Sequence, residues 1–210
     1  MTQQNPRLSL QQVEQLARRA LAGCGAQGHQ LDLAVQSIVD AECDGIRTVG
    51  LGYLPIYCGH LQVGKLNKDA SPRHEKIAPS AIRSYADCGF AHAAFAKAEA
   101  DFFALVQQQG IACLSIVDSY SAGVVGWFVQ RMAQSGLIGI GFANSPSAVA
   151  PAPGASAFFG TNPMAFSIPR EGKPPVVADM ATSQVALVTI KKAAAEGKAI
   201  PLGWGYDAQG

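Results

Sequence analysis

Residues 158–170, FFGTNPMAFSIPR, set a glycine, a hydroxyl, an amide and a proline at the mouth of an apolar run. Gly160, Asn162 and Pro163 are turn formers. A plain turn requires neither Thr161 nor the Phe158–Phe159 pair ahead of it. A second stretch, PPVVADMATSQVA at 174–186, ends an apolar run on Asp179 and turns into a helical pattern at Thr182-Ser183. Two roles are open for Asp179. It is a strand-end carboxylate capping the next helix, with Thr182 or Ser183 as N-cap, or it is an acceptor beside a helix start. Exposed amides and hydroxyls at such a start would suit a phosphate or a substrate carboxylate.

The elements around these stretches alternate. SLQQVEQLARRALAGCG carries Leu10, Val13, Leu16, Ala17, Ala20 and Leu21 at helical spacing, with Ser9 to cap its start and Gly23 or Gly25 its end. HQLDLAVQSIVDAECDG predicts a second helix stopped by Gly45. Residues 50–65 predict a short helix or turn, and 66–80, with Pro72 and Pro79, a surface loop. AHAAFAKAEADFFALVQQQG predicts a helix ending at Gly110, and residues 122–136 another ending at Gly136. IACLSIV (111–117) and LIGIGFAN (137–144) read as buried strands. MAFSI and PVVADM read as short strands, and residues 183–197 as a helix stopped by Gly197. Such alternation implies an α/β or mixed α+β fold. The closing AIPLGWGYDAQG resembles a loop that should lead back to a packed element, so a C-terminal truncation is expected.

Bulk properties exclude several classes. The chain has 210 residues and net charge +1, with no basic block longer than a pair, so nothing suggests nucleic-acid binding. Apolar stretches are broken before a membrane span is reached, and MTQQNPRLSLQQ lacks the apolar core of a signal peptide. Five scattered cysteines without a CxxC read as a reduced, cytoplasmic protein with neither a disulfide frame nor a zinc site. His29, His60, His74 and His92 lack metal-ligand spacing and read as surface or satisfied histidines. The triplet Gly136, Gly139 and Gly141 opens a strand rather than following one, so it is no dinucleotide fingerprint.

The paired GTNP and DMATS motifs resemble the type-2 malate/L-lactate dehydrogenase family. So do VDAECDGI at 39–46, GLGYLPIYC at 50–58, LIGIGFANSPSAVAP at 137–151 and KAIPLGWGYDAQG at 198–210. The similarity is greatest to its Δ1-piperideine-2-carboxylate/Δ1-pyrroline-2-carboxylate reductase branch. The resemblance implies a non-Rossmann NAD(P)-binding domain around a largely antiparallel sheet, here 86–210. A helical domain, with 1–85 as its N-terminal part, would join it. It implies hydride transfer from NADPH or NADH to a 2-keto acid or cyclic imino acid, and a homodimer. By the same resemblance Thr48 and Asp179 are catalytic, and Tyr53 and Thr161 bind substrate. Tyr120, Ser121, Gly160, Thr161, Asn162, Pro163, Asp179, Met180, Ala181, Thr182 and Ser183 hold the cofactor.

The chain departs from that family in four features. The family's Ser-His-Gly signature is matched by Thr48-Val49-Gly50, and valine carries no proton. Tyr53 stands where many members have an arginine that clamps the substrate carboxylate. DSYSAG at 118–123 replaces a histidine-containing stretch, and a C-terminal segment that completes the helical domain in relatives is missing. Reducing a carbonyl requires a proton as well as a hydride, and a positioned acid contributes about a hundred- to ten-thousandfold. An active chain would draw that proton from Tyr53, Tyr120, Arg47 or His60. The alternative is a catalytically impaired or truncated member that only binds a dinucleotide or a carboxylate ligand.

Overall fold

Ser9 opens the first helix with a capping box: its hydroxyl accepts the Gln12 N–H while the Gln12 side chain accepts the Ser9 N–H. In this computed structural model, which describes residues 7–206, the helix is α1 (Leu10–Gly23). Val13, Ala17 and Leu21 form its buried face, while Leu10 and Leu16 are exposed. The opening MTQQNP and closing DAQG lie outside the described residues. α2 (Gly28–Cys43) packs on α1, and a 3₁₀ turn (Leu51–Tyr53) runs into α3 (Leu54–Gln62), with Pro55 in its first turn. Leu21, Ile38, Tyr57, Leu66 and Phe90 lie at the centre of this core.

The chain falls into two compact units, Met1–Gly123 and Val124–Gly210. The expected division at 85/86 lies inside the first. Besides α1 to α3, the first unit holds β1 (Arg73–Ala78), β2 (Ala81–Tyr85), α4 (Ala91–Gln109) and β3 (Cys113–Val117). β2 pairs antiparallel with β1 and parallel with β3, and α4 packs against this sheet. The second unit holds α5 (Val125–Gln134), β4 (Gly139–Phe142), β5 (Met164–Arg170), β6 (Lys173–Met180) and α6 (Leu187–Ala195), with β4–β5–β6 antiparallel throughout. The mixed α/β class expected from the sequence is therefore the class observed, and its sheets are mainly antiparallel.

Three expectations are corrected. The polar stretch 66–80 contains a strand, β1. It is a sheet edge whose side chains are largely exposed, so RHEKIA needs no apolar alternation. The apolar strands β3 and β4 are only partly buried, because each lies at the edge of its sheet. In the second unit, Gly139, Ala165 and Ser167 face α5, while Ile140, Phe142, Phe166 and Ile168 on the opposite face are exposed. Finally, the last helix starts at Leu187 rather than near Ser183. Ser183 instead bonds its hydroxyl to the Val185 carbonyl, a local alternative to helical pairing.

One buried amide ties the first unit together. Gln30, on α2, accepts the Phe90 N–H and donates to the carbonyls of Asn67 and Lys68. It is 5% exposed, so water cannot replace those bonds. Gln30→Leu is expected to lower stability by about 3 kcal/mol, measured by urea denaturation; an unchanged midpoint would show that those groups find other partners.

Candidate functional site

The residues of interest gather in two groups, one in each unit. In the second unit the GTNP turn is held by a residue the sequence reading passed over, Ser145. The Ser145 N–H donates to Asn162 Oδ1 (3.0 Å) and the Asn162 N–H donates to Ser145 Oγ (3.1 Å). Ser145 Oγ also lies 3.1 Å from Thr161 Oγ1. A Cβ on Gly160 would overlap the Ser145 carbonyl and the Asn162 side chain, so only glycine fits. Asn162 takes a left-handed φ of 31°, a conformation asparagine tolerates. Ser145-Pro146 is a visible turn signal, but nothing in the sequence tells which turn it would fasten.

The strand ends on either side of this turn meet. Met164 pairs with Met180 and Ala165 with Asp179. Beyond the ladder, the Thr182 N–H donates to the Thr161 carbonyl at 2.9 Å, joined by the Thr182 hydroxyl at 3.2 Å. Gly160, Thr161, Asn162, Pro163, Met180, Ala181 and Thr182 thus share one hairpin mouth. Ser183 follows in the loop before α6, so a helix start does not present it.

Asp179 faces α5. Its Oδ2 accepts the Gly126 N–H at 2.7 Å, in the first turn of α5. Val124, the N-cap of α5, makes no side-chain bond there, so a carboxylate from a distant strand takes an otherwise orphaned donor. A Cβ on Gly126 would lie 3.2 Å from Asp179 Cβ, tighter than an ordinary contact. Asp179 therefore caps α5, which precedes it in the chain, and not the helix that follows. Burial against α5 pushes its pKa up, and the N–H groups of Gly126 and Val125 pull the other way.

In the first unit Tyr53, Tyr120 and Ser121 surround Tyr57. Ring centroids lie 5.1 Å apart for Tyr53–Tyr57 and 5.9 Å for Tyr57–Tyr120, both edge-to-face. Phe90 closes the group at 5.1 Å from Tyr57, and Ser121 hydrogen-bonds the Tyr57 hydroxyl. Burial drives the pKa of Tyr57 far above the ordinary phenol value. Thr48 and Val49 are half-buried in the turn before the 3₁₀ segment. Glu42 fixes that turn: its Oε1 accepts the Leu51 N–H at 2.8 Å, and a Cβ on Gly50 would strike its carboxylate. His60, read from sequence as a surface or satisfied histidine, contacts Tyr120 directly, Nδ1 to hydroxyl at 2.5 Å. Their separation of 60 residues hides that pairing from the sequence.

Comparison with known proteins adds an independent finding. Residues 8–210 match the malate/L-lactate dehydrogenase family. The chain is 37% identical over 203 residues to a (2R)-3-sulfolactate dehydrogenase (NADP(+)) of Chromohalobacter salexigens, covering 97% of this chain and 61% of that protein. It is 34% identical over 204 residues to a Δ1-pyrroline-2-carboxylate/Δ1-piperideine-2-carboxylate reductase of Pseudomonas aeruginosa, covering 97% and 61%. The crystal structure of Δ1-piperideine-2-carboxylate reductase from Pseudomonas syringae pv. tomato superimposes with a TM-score of 0.91 at 32% identity, covering 98% of this chain and 62% of that one. The chain spans about three fifths of the length of these relatives.

Two stability measurements test the geometry. Asp179→Ala strands the Gly126 N–H and is expected to lower stability by about 1 kcal/mol, whereas Asp179→Asn keeps an oxygen acceptor and stays near the parent. Because the folded pKa is raised, the native state holds the Asp179 proton more tightly than the unfolded chain. The parent's stability relative to Asp179→Asn therefore falls as pH rises from the ordinary carboxylate range through the raised value. Urea denaturation across acid pH should show that slope, and an opposite slope would refute burial as the dominant influence. Gly160→Ala is expected to cost about 1–3 kcal/mol by forcing the turn away from Ser145.

Proposed function

This chain belongs to the malate/L-lactate dehydrogenase family, and from that premise we propose that it serves NAD(P)H-dependent reduction of a small 2-keto acid or cyclic imino acid. The observation that carries the reading is the hairpin mouth of the second unit. There the GTNP turn and the Asp179 strand end are bound together through Thr161 and Thr182. Both motifs are the ones the resemblance assigns to substrate and nicotinamide.

The residues present fit a nicotinamide. Phe158, Phe159 and Met180 are exposed apolar side chains flanking the turn, beside the hydroxyls of Thr161 and Thr182. A flat ring bearing a carboxamide matches that mixture of apolar surface and polar groups. Gly160, Thr161, Asn162, Pro163, Met180, Ala181, Thr182 and Ser183 would hold it. When bound it supplies the hydride. Thr161 would orient the substrate. Asp179, kept in place by the α5 amide, would fix the substrate or a proton-carrying group. A homodimer in the cytoplasm belongs to the same proposal.

The relatives' names support a substrate among small carboxylic acids with an oxygen or nitrogen on the carbon next to the carboxylate. Δ1-Piperideine-2-carboxylate, Δ1-pyrroline-2-carboxylate, pyruvate and 3-sulfopyruvate form the test panel. Loss of NADPH or NADH absorbance with at least one of them is expected, alongside saturable nucleotide binding. Asp179→Asn is expected to lower kcat at least about tenfold with nucleotide affinity kept. Nucleotide binding without turnover on any substrate would support the binding-only reading, and loss of both would overturn the assignment.

A further inference from the structure

We propose that Ser145 is a positioning residue: its hydroxyl donates to Thr161 Oγ1, so that Thr161 presents its own hydrogen to a carboxylate oxygen of the ligand. This role rests on the oxidoreductase reading given above and fixes which way the hydroxyl at the turn is polarised. Every group involved belongs to the second unit.

The direction follows from the donors and acceptors present. A serine hydroxyl has one hydrogen and two lone pairs. One lone pair of Ser145 Oγ takes the Asn162 N–H at 3.1 Å. Its hydrogen then has two acceptors in reach, Thr161 Oγ1 at 3.1 Å and Asn162 Oδ1 at 3.5 Å. The longer contact lies well outside the ordinary O–H···O range of about 2.5–3.0 Å. Asn162 Oδ1 also already holds the Ser145 N–H at 3.0 Å. Thr161 Oγ1 is therefore the better acceptor. With Ser145 donating, the Thr161 hydrogen is left for an outside partner. The Thr161 carbonyl is taken, bonded by the Thr182 N–H at 2.9 Å and the Thr182 hydroxyl at 3.2 Å.

Direction decides what the turn recognises. A Thr161 that donated to Ser145 would offer only lone pairs, which suit an ammonium or amide N–H and repel a carboxylate. A Thr161 that accepts from Ser145 offers a hydrogen, and bonds to an ionised acceptor are about twice as strong as neutral ones. Two hydroxyls bonded in series polarise one another, which strengthens the terminal donor. Thr161 is half-buried, so its side chain is open to a ligand. Phe158, Phe159 and Met180 add apolar surface around it.

The test uses the whole chain with Ser145→Ala, Thr161→Val, the double variant, and Ser145→Cys, which keeps a weaker donor. Thr161→Val is expected to raise KM for the panel substrates at least about tenfold, and Ser145→Ala about fivefold, each with kcat within about threefold of the parent. Because Ser145 acts through Thr161, the double variant should stay within about twofold of Thr161→Val alone. Mere loosening of the turn would multiply the two effects. Ser145→Cys should fall between the parent and Ser145→Ala, and it carries the comparison if the alanine variant does not fold. A second readout needs no turnover: calorimetric titration with tetrahydropyran-2-carboxylate and its carboxamide, with and without oxidised nucleotide. The parent should prefer the carboxylate, and Ser145→Ala should shrink that preference at least about threefold. Equal KM and equal preference in the parent and Ser145→Ala, or multiplied effects in the double variant, would overturn the positioning role and leave the oxidoreductase reading standing. A parent without turnover whose carboxylate preference is lost in Ser145→Ala would keep the positioning role and remove that reading. A parent with neither turnover nor carboxylate binding would sink both.

Discussion

A single carboxylate oxygen, Asp179 Oδ2, fixes the geometry of the second unit. It leaves the end of β6 and accepts the Gly126 N–H in the first turn of α5 at 2.7 Å. The bond joins the sheet to the helix laid across it, and β5 reinforces the contact: buried Ser167 donates to the Val129 carbonyl on the same helix. It also constrains sequence at both ends, since a side chain at 126 would press on Asp179. Partial burial has an electrostatic consequence, because desolvation opposes the charge that the helix terminus favours.

The first unit is organised differently. Its functional candidates are held by ring packing and not by a charged cap. Tyr57 touches Tyr53, Phe90 and Tyr120, and the last of these reaches His60. Edge-to-face pairs of this kind add about 0.5–1.5 kcal/mol each beyond the area they bury. They also set ring orientation, so the Tyr120 hydroxyl is aimed by its neighbours. The two groups illustrate two ways of fixing a polar atom: a backbone donor at a helix end, and a cage of rings.

Much of this was legible in the sequence, and the failures have physical causes. α1, α2, α4 and α5 follow from periodicity with glycine stops, α3 only as a short helix or turn, and Gly110 and Gly136 do take left-handed φ values. The hairpin mouth was legible because GTNP and DMATS each carry turn and strand-end residues. β1 was missed because an exposed edge strand has no apolar face to display. Of the two roles open to Asp179, the capping one points to the helix after it because capping logic is local, whereas the amide it accepts lies 53 residues earlier. The start of α6 was misplaced because Thr182-Ser183 looks like a cap, yet Thr182 bonds to Thr161 instead. The turn that Ser145 fastens and the His60–Tyr120 contact carry no sequence signal, since both depend on which loops the fold brings side by side.

The fastening of GTNP by Ser145 has a thermodynamic corollary. Thr161 and Asn162 are locked before any guest arrives, by reciprocal bonds and by a glycine that leaves no slack. A ligand seated there would forfeit little chain freedom, a loss that otherwise runs to about 1–2 kcal/mol for each residue brought to order. Its affinity would be governed by how well it replaces displaced water, since the loop has no folding left to do.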